Sequence, residues 1–129
     1  MIKINGSSLI YSIKLNLINE IKELYKEIII SPTVKREVID QGKKKGKPDA
    51  LVAENYLHQN KIKIHTPSNI LKDLNLGKGE TEIISLAIEE KSPCMIDDIK
   101  AQKIGIKLNI NLKCASLEKQ RGTQYFGTH

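Results

Sequence analysis

The sequence predicts an α/β domain of three layers, a central parallel sheet flanked by helices. Three observations carry that expectation. Short apolar runs rich in β-branched residues alternate with segments of helical periodicity, and that repeated alternation favours a parallel sheet covered on both faces. Polar or acidic residues close the strand-like runs at Asn5 and at Asp97-Asp98. The 129 residues, 40% hydrophobic and 28% charged, suit one domain with a single core.

Met1 to Asn5 reads as a first strand. Ser7-Ser8 then offer N-cap chemistry to an apolar pattern through Leu9, Ile10, Ile13, Leu17, Ile18, Ile21 and Leu24, helical in spacing with a break near Leu15-Asn16. Glu27 to Ser31 contains Ile28-Ile29-Ile30, suited to a buried parallel strand, and Pro32 ends it while opening the next helix. The glycine-broken run Gly42-Lys43-Lys44-Lys45-Gly46-Lys47-Pro48 is too charged for a core and reads as a surface loop. Ala50, Val52, Ala53 and Leu57 then suggest a short helix, and Lys61 to His65 alternates as a strand does.

Gly77-Lys78-Gly79 leads into an amphipathic helix over Glu80 to Glu90, with Ile83, Ile84, Ala87 and Ile88 as its apolar stripe. Cys94-Met95-Ile96 is a short buried strand closed by Asp97-Asp98, and Ile99 to Leu108 is helical again. The domain is expected to span residues 1–112. A C-terminal segment, 113–129, is expected to form a short helix as far as Gly122 and then to be disordered.

Composition narrows the function. No apolar run approaches the roughly 18 residues of a membrane span, and the start lacks the hydrophobic stretch of a signal peptide, so a cytoplasmic protein without membrane association is expected. Cys94 and Cys114 match no zinc spacing and are too few for a disulfide scaffold, so they read as free thiols. The formal charge of +6 suits a polyanionic partner. Aromatic residues are scarce, Tyr11, Tyr25, Tyr56, Tyr125 and Phe126 with no tryptophan, which argues against a base-stacking platform.

In an open parallel sheet, ligands collect outside the carboxyl ends of the strands. Asn5 and Asp97-Asp98 stand at such ends, Glu37 lies in the helix after Ile28 to Ile30, and Glu80 starts the helix before the Asp97-Asp98 strand. Carboxylates gathered there would need protonation or a metal, and oxygen-only donors favour Mg²⁺ or Mn²⁺ over zinc. Phosphodiester hydrolysis by a metal-activated water follows from such a site. Each residue also has a structural reading. Glu37 suits a solvated helix face, Glu80 and Glu82 suit the positive end of a helix dipole, and one of Asp97 and Asp98 suits an N-cap.

Four segments in order resemble the PIN domain family over nearly all of Ile2 to Leu112. Asn5-Gly6-Ser7-Ser8-Leu9-Ile10 stands where that family has a strand-ending Asp, a small residue, Ser or Thr and Leu-Ile. Pro32-Thr33-Val34-Lys35-Arg36-Glu37-Val38 resembles the second acidic position. Leu76-Gly77-Lys78-Gly79-Glu80-Thr81-Glu82, followed by Ile83-Ile84-Ser85-Leu86-Ala87, is similar to the third. Met95-Ile96-Asp97-Asp98, with Ala101 after it, is similar to the fourth.

The resemblance implies a metal-dependent ribonuclease fold, often the toxin half of a toxin–antitoxin pair. By carry-over the metal residues would be Asn5, Glu37, Glu80 and Asp98, with Ser7 in support and Glu82 and Asp97 as second candidates. Lys43, Lys44 and Lys45 would attract the RNA backbone. A homodimer through parts of Leu9 to Leu24, and an antitoxin protein as partner, are implied in the same way. The chain departs from the pattern at Asn5, which replaces Asp, and at Gln102, where relatives place Arg. It also lacks the Gly-Thr passage expected after Ile110. Two function classes follow, a divalent-metal-dependent endoribonuclease and a catalytically weakened PIN-like domain that binds RNA or protein. A phosphoacceptor receiver domain shares the sheet rhythm but needs an acidic pair after the first strand, which Asn5-Gly6 does not supply.

Overall fold

The computed structural model describes residues 1–115. Five parallel strands form one sheet in the order β3-β2-β1-β4-β5: β1 (Ile2–Ile4), β2 (Ile28–Ile30), β3 (Lys63–Ile64), β4 (Cys94–Met95) and β5 (Leu112–Lys113). Strand β1 is central, with Lys3 opposite Ile29 on one side and Cys94 on the other. Helices cover the sheet in a three-layer α/β/α arrangement, as expected. The chain adds β2 and β3 to one side of β1, then crosses to add β4 and β5 to the other. That reversal leaves a crevice at the carboxyl ends of the strands.

The first helical region is two helices, α1 (Gly6–Lys14) and α2 (Ile18–Tyr25), broken where Asn16 takes a φ of 57°. Asparagine tolerates that left-handed conformation better than most residues. The cap of α1 is Asn5 rather than Ser7 or Ser8: its side-chain oxygen accepts from the Ser8 amide at 3.1 Å. Pro32 opens α3 (Pro32–Lys35), with Ser31 as N-cap, and the same helix widens into one π turn (Arg36–Asp40) before closing as α4 (Gln41–Lys44).

The lysine run is therefore not wholly a loop. Lys43 and Lys44 belong to α4, and the chain turns only at Lys45 and Gly46, where φ is 69°. Helix α5 (Pro48–His58) follows, and then α6 (Lys78–Glu89) and α7 (Ile99–Lys107). Gly42 lets α4 meet α5, since a Cβ there would lie 2.8 Å from that of Ala50.

The core joins the fully buried Ile2, Ile4, Ile28 and Ile30 of the central strands to Leu9, Ile21, Ile83, Ile84 and Leu86 of the helices. Strand β5 lies across position 112, and Ala115 is buried against the domain. The helix and disorder expected farther along, from Ser116 to His129, lie outside the described residues.

Candidate active site

Helices α1, α3, α4, α5 and α6 and the π turn border one cleft of about 330 Å³ beside the carboxyl ends of β1 and β2. Ser7 lines it from the first turn of α1, Glu37 from the π turn, and Glu80 from the first turn of α6. π turns occur disproportionately at functional sites, and this one supplies Glu37 and Val38 to the cleft wall. The close approach of α6 depends on Gly79, where a Cβ would stand 3.3 Å from Glu37 Oε1 and 3.6 Å from Val34 Cγ2. Glu80 folds back over the start of its own helix, its Oε1 3.0 Å from where a Cβ of Gly77 would sit.

The remaining acidic candidates are committed to hydrogen bonds within the fold. Glu82, 5% exposed, accepts from the Thr33 amide at 3.2 Å and the Thr33 hydroxyl at 2.8 Å, tying α6 to α3. Asp97 accepts from the Ser8 hydroxyl at 2.7 Å and the Ala115 amide at 3.1 Å, joining α1 to the chain beyond β5. Asp98 is the N-cap of α7, accepting from the Ala101 amide at 2.8 Å. Asn5 is 1% exposed, and because its oxygen faces the Ser8 amide, its other side-chain atom is a donor.

Glu37 and Glu80 differ from these. Neither has an ion pair or side-chain hydrogen bond among the described residues, although both line the cleft. The set Asn5, Glu37, Glu80 and Asp98 is thus divided, two members facing the cleft and two capping helices. Among the described residues no three His, Cys, Asp or Glu side chains are grouped to hold one ion. A smaller donor set remains. Mg²⁺ is commonly held through one or two carboxylates while keeping several waters. Glu37 and Glu80, hard oxygen donors left without protein partners, fit such a hydrated ion.

The basic residues are also redistributed. Of the three lysines expected to attract RNA, Lys45 lines the cleft, Lys43 is paired with Glu54 at 2.8 Å, and Lys44 is exposed away from the lining. Lys14, Lys47 and Asp49 line the cleft without having been anticipated. Lys47-Pro48-Asp49 carries a usable signal, since proline at the first turn of α5 fixes Lys47 as its N-cap and Asp49 in its first turn. No comparable signal marks Lys14, which arrives by the packing of α1 beside α5. Gln102, at the position of the expected arginine, donates to the Ile96 carbonyl at 2.7 Å and so braces the segment before Asp97.

Across residues 1–114 the sequence matches the family model DUF3368, a PIN domain. The chain belongs to the PIN domain family. Members of this family are generally nuclease-like and generally depend on divalent metals. The fold is similar to that of a PilT N-terminus domain protein from the hyperthermophilic archaeon Sulfolobus solfataricus. That likeness has a TM-score of 0.60 at 18% identity and covers 90% of this chain and 88% of the other. No curated protein sequence matches the chain significantly. Among the described residues of this PIN domain, no helix is long and apolar enough to cross a membrane.

Proposed function

We propose that this PIN domain is a divalent-metal-dependent endoribonuclease whose working carboxylates are Glu37 and Glu80. The observation that carries the reading is that these two carboxylates have no ion pair or side-chain hydrogen bond among the described residues and line one cleft beside Ser7. A bound Mg²⁺ or Mn²⁺ would supply a water activated toward a phosphodiester. Glu37 and Glu80 would hold the cation through their carboxylates, and the Ser7 hydroxyl, which lines the same cleft, would be available to a phosphate oxygen or a water. Asp97 and Asp98 act at one remove, because they fix the starts of α1 and α7 through Ser8 and Ala101.

The test is cleavage of a labelled RNA with Mn²⁺ or Mg²⁺. Glu37→Gln and Glu80→Gln should each lower the rate by about 10 to 100-fold or more, as ligand and near-ligand changes at metal sites do. Full activity in either variant would remove that residue from the reading. The toxin role, with an antitoxin protein as partner, and a homodimer through α1 and α2 remain parts of the same proposal. Exposed Tyr11 and Leu24 on those helices support the dimer.

A second reading, RNA or protein binding without cleavage, is favoured by Asn5. Its oxygen is committed to capping α1, so the family's first carboxylate is replaced by a group that presents an amide donor. Asn5→Asp keeps the cap and restores the charge. It is expected to raise Mn²⁺ affinity and cleavage, and an unchanged titration and rate would place residue 5 outside the cation's reach.

A further inference from the structure

We infer that Lys14, Lys45 and Lys47 form a phosphate clamp that seats single-stranded RNA by its backbone across the Glu37–Glu80 cleft, with Asp49 as the internal counterion of Lys14. The inference rests on reading that cleft as the catalytic one. The lysines come from two segments, Lys14 from the last turn of α1 and Lys45 and Lys47 from the turn that joins α4 to α5, and all three line the cleft. They are also less neutralised than two nearby lysines that lie outside the cleft lining. Lys35 pairs with Asp40 at 2.8 Å and Lys43 with Glu54 at 2.8 Å. Lys45 and Lys47 have no ion pair among the described residues, and Lys14 has only Asp49, at 3.9 Å.

Unneutralised lysines beside two carboxylates suit a polyanion whose charge is spread along a chain. The lysines attract the flanking phosphates, while the carboxylates leave room for a cation at the central one. Among the described residues no aromatic side chain lines the cleft, so recognition is expected to run through phosphates rather than through stacked bases. The volume of about 330 Å³ is near the lower end of pockets that hold one small molecule, about 300 to 1,000 Å³. A cleft of that size suits a single strand better than a duplex.

The test is fluorescence anisotropy of a short unstructured RNA, in EDTA so that nothing is cut, over a series of salt concentrations. The combined variant K14A/K45A/K47A should bind about tenfold or more weakly at low salt and lose about 2 from the log–log salt slope, roughly 0.7 for each phosphate contact. K43A/K44A, which removes charge outside the cleft, should keep most of the wild-type slope. Asp49→Asn should tighten binding, because it removes an anion that competes for Lys14. Equal losses in the two lysine variants, an unchanged slope in the first, no binding by the wild type, or equal binding of a duplex would overturn the clamp. Weaker binding by Asp49→Asn would overturn the counterion role. All of the substituted lysines are exposed, and thermal melts of each variant check the fold. Failure of the nuclease reading looks different: clamp-dependent binding with no cleavage on adding Mn²⁺ leaves the clamp standing. Cleavage by the clamp variant at saturating RNA leaves the nuclease standing.

Discussion

Helix α6 has a carboxylate in its first turn and another at its C-cap, and the two are used in opposite ways. At the start, Glu80 lines the cleft with Glu37 and has no side-chain partner among the described residues. At the finish, Glu90 accepts from Lys3 Nζ at 2.7 Å and from His65 Nδ1 at 3.0 Å. Lys3 is fully buried in the central strand and also donates to Ser92 Oγ at 2.8 Å. A buried ammonium is tolerable only where its charge and its protons are answered, and Glu90 and Ser92 answer them. The difference teaches how to sort acidic residues in this fold. Those that hold the structure are paired, and those left unpaired in a concavity are available to a ligand.

The largest effect should come from breaking the paired end. Glu90→Ala strands the Lys3 ammonium in the sheet and is expected to cost about 3 kcal/mol, the low end for a broken buried pair because Glu90 is partly exposed. Urea denaturation measures it, and adding Lys3→Met should recover most of the loss. An unchanged midpoint for Glu90→Ala would mean that water reaches Lys3.

Glu82 tests the comparison within the first turns of α6, two residues from Glu80. Glu82→Ala leaves the buried Thr33 amide without its acceptor and is expected to cost about 2 kcal/mol by the same measurement. By contrast, Glu37→Gln and Glu80→Gln should shift stability by no more than about 0.5 kcal/mol, since no partner is lost. A large destabilisation from either would show that its carboxylate serves the fold after all.

Acid and base should wear the paired end away from opposite directions. Burial alone raises the Glu90 carboxyl, but hydrogen bonds from Lys3 and His65 outweigh it and hold the group below its ordinary value of 4.5. A depressed folded value means that the unfolded chain binds the proton more tightly, so this contribution is complete above pH 4.5 and lost as pH falls through the folded value. Cys94, opposite Lys3, behaves in reverse: burial pushes its thiol from 9.0 up to about 12, against the opposing pull of Lys3. Its contribution is complete below pH 9.0 and declines from there to about 12. Melting temperature against pH should therefore fall at both extremes, and Glu90→Gln should flatten the acid limb.

Much of the architecture was legible because it depends on neighbours in sequence. Ile28-Ile29-Ile30 could hardly be other than a buried strand. Pro32 opens its helix where proline costs least, and one of Asp97 and Asp98 was expected to cap α7, as Asp98 does. Four segments in order, three of them acidic, were enough to suggest the family. The sequence by itself determined the rhythm of strands and helices, the placement of acidic residues near the carboxyl ends of the sheet, and the excess of positive charge.

Which acids are free was decided only by tertiary structure, because their partners are remote. Ser8 reaches Asp97 across 89 positions, and Thr33 reaches Glu82 across 49. Asn5, expected at a metal, caps the helix it introduces, a contact set by where the Ser8 amide points once α1 has formed. The lysines sort in the same way. Helix α4 turns Lys43 toward Glu54, while packing of α1 and α5 around the cleft brings in Lys14 and Lys47, which are 33 positions apart in the numbering. Local sequence sets which elements form. Whether a charged group is neutralised or left for a ligand depends on groups that only folding brings within hydrogen-bond distance.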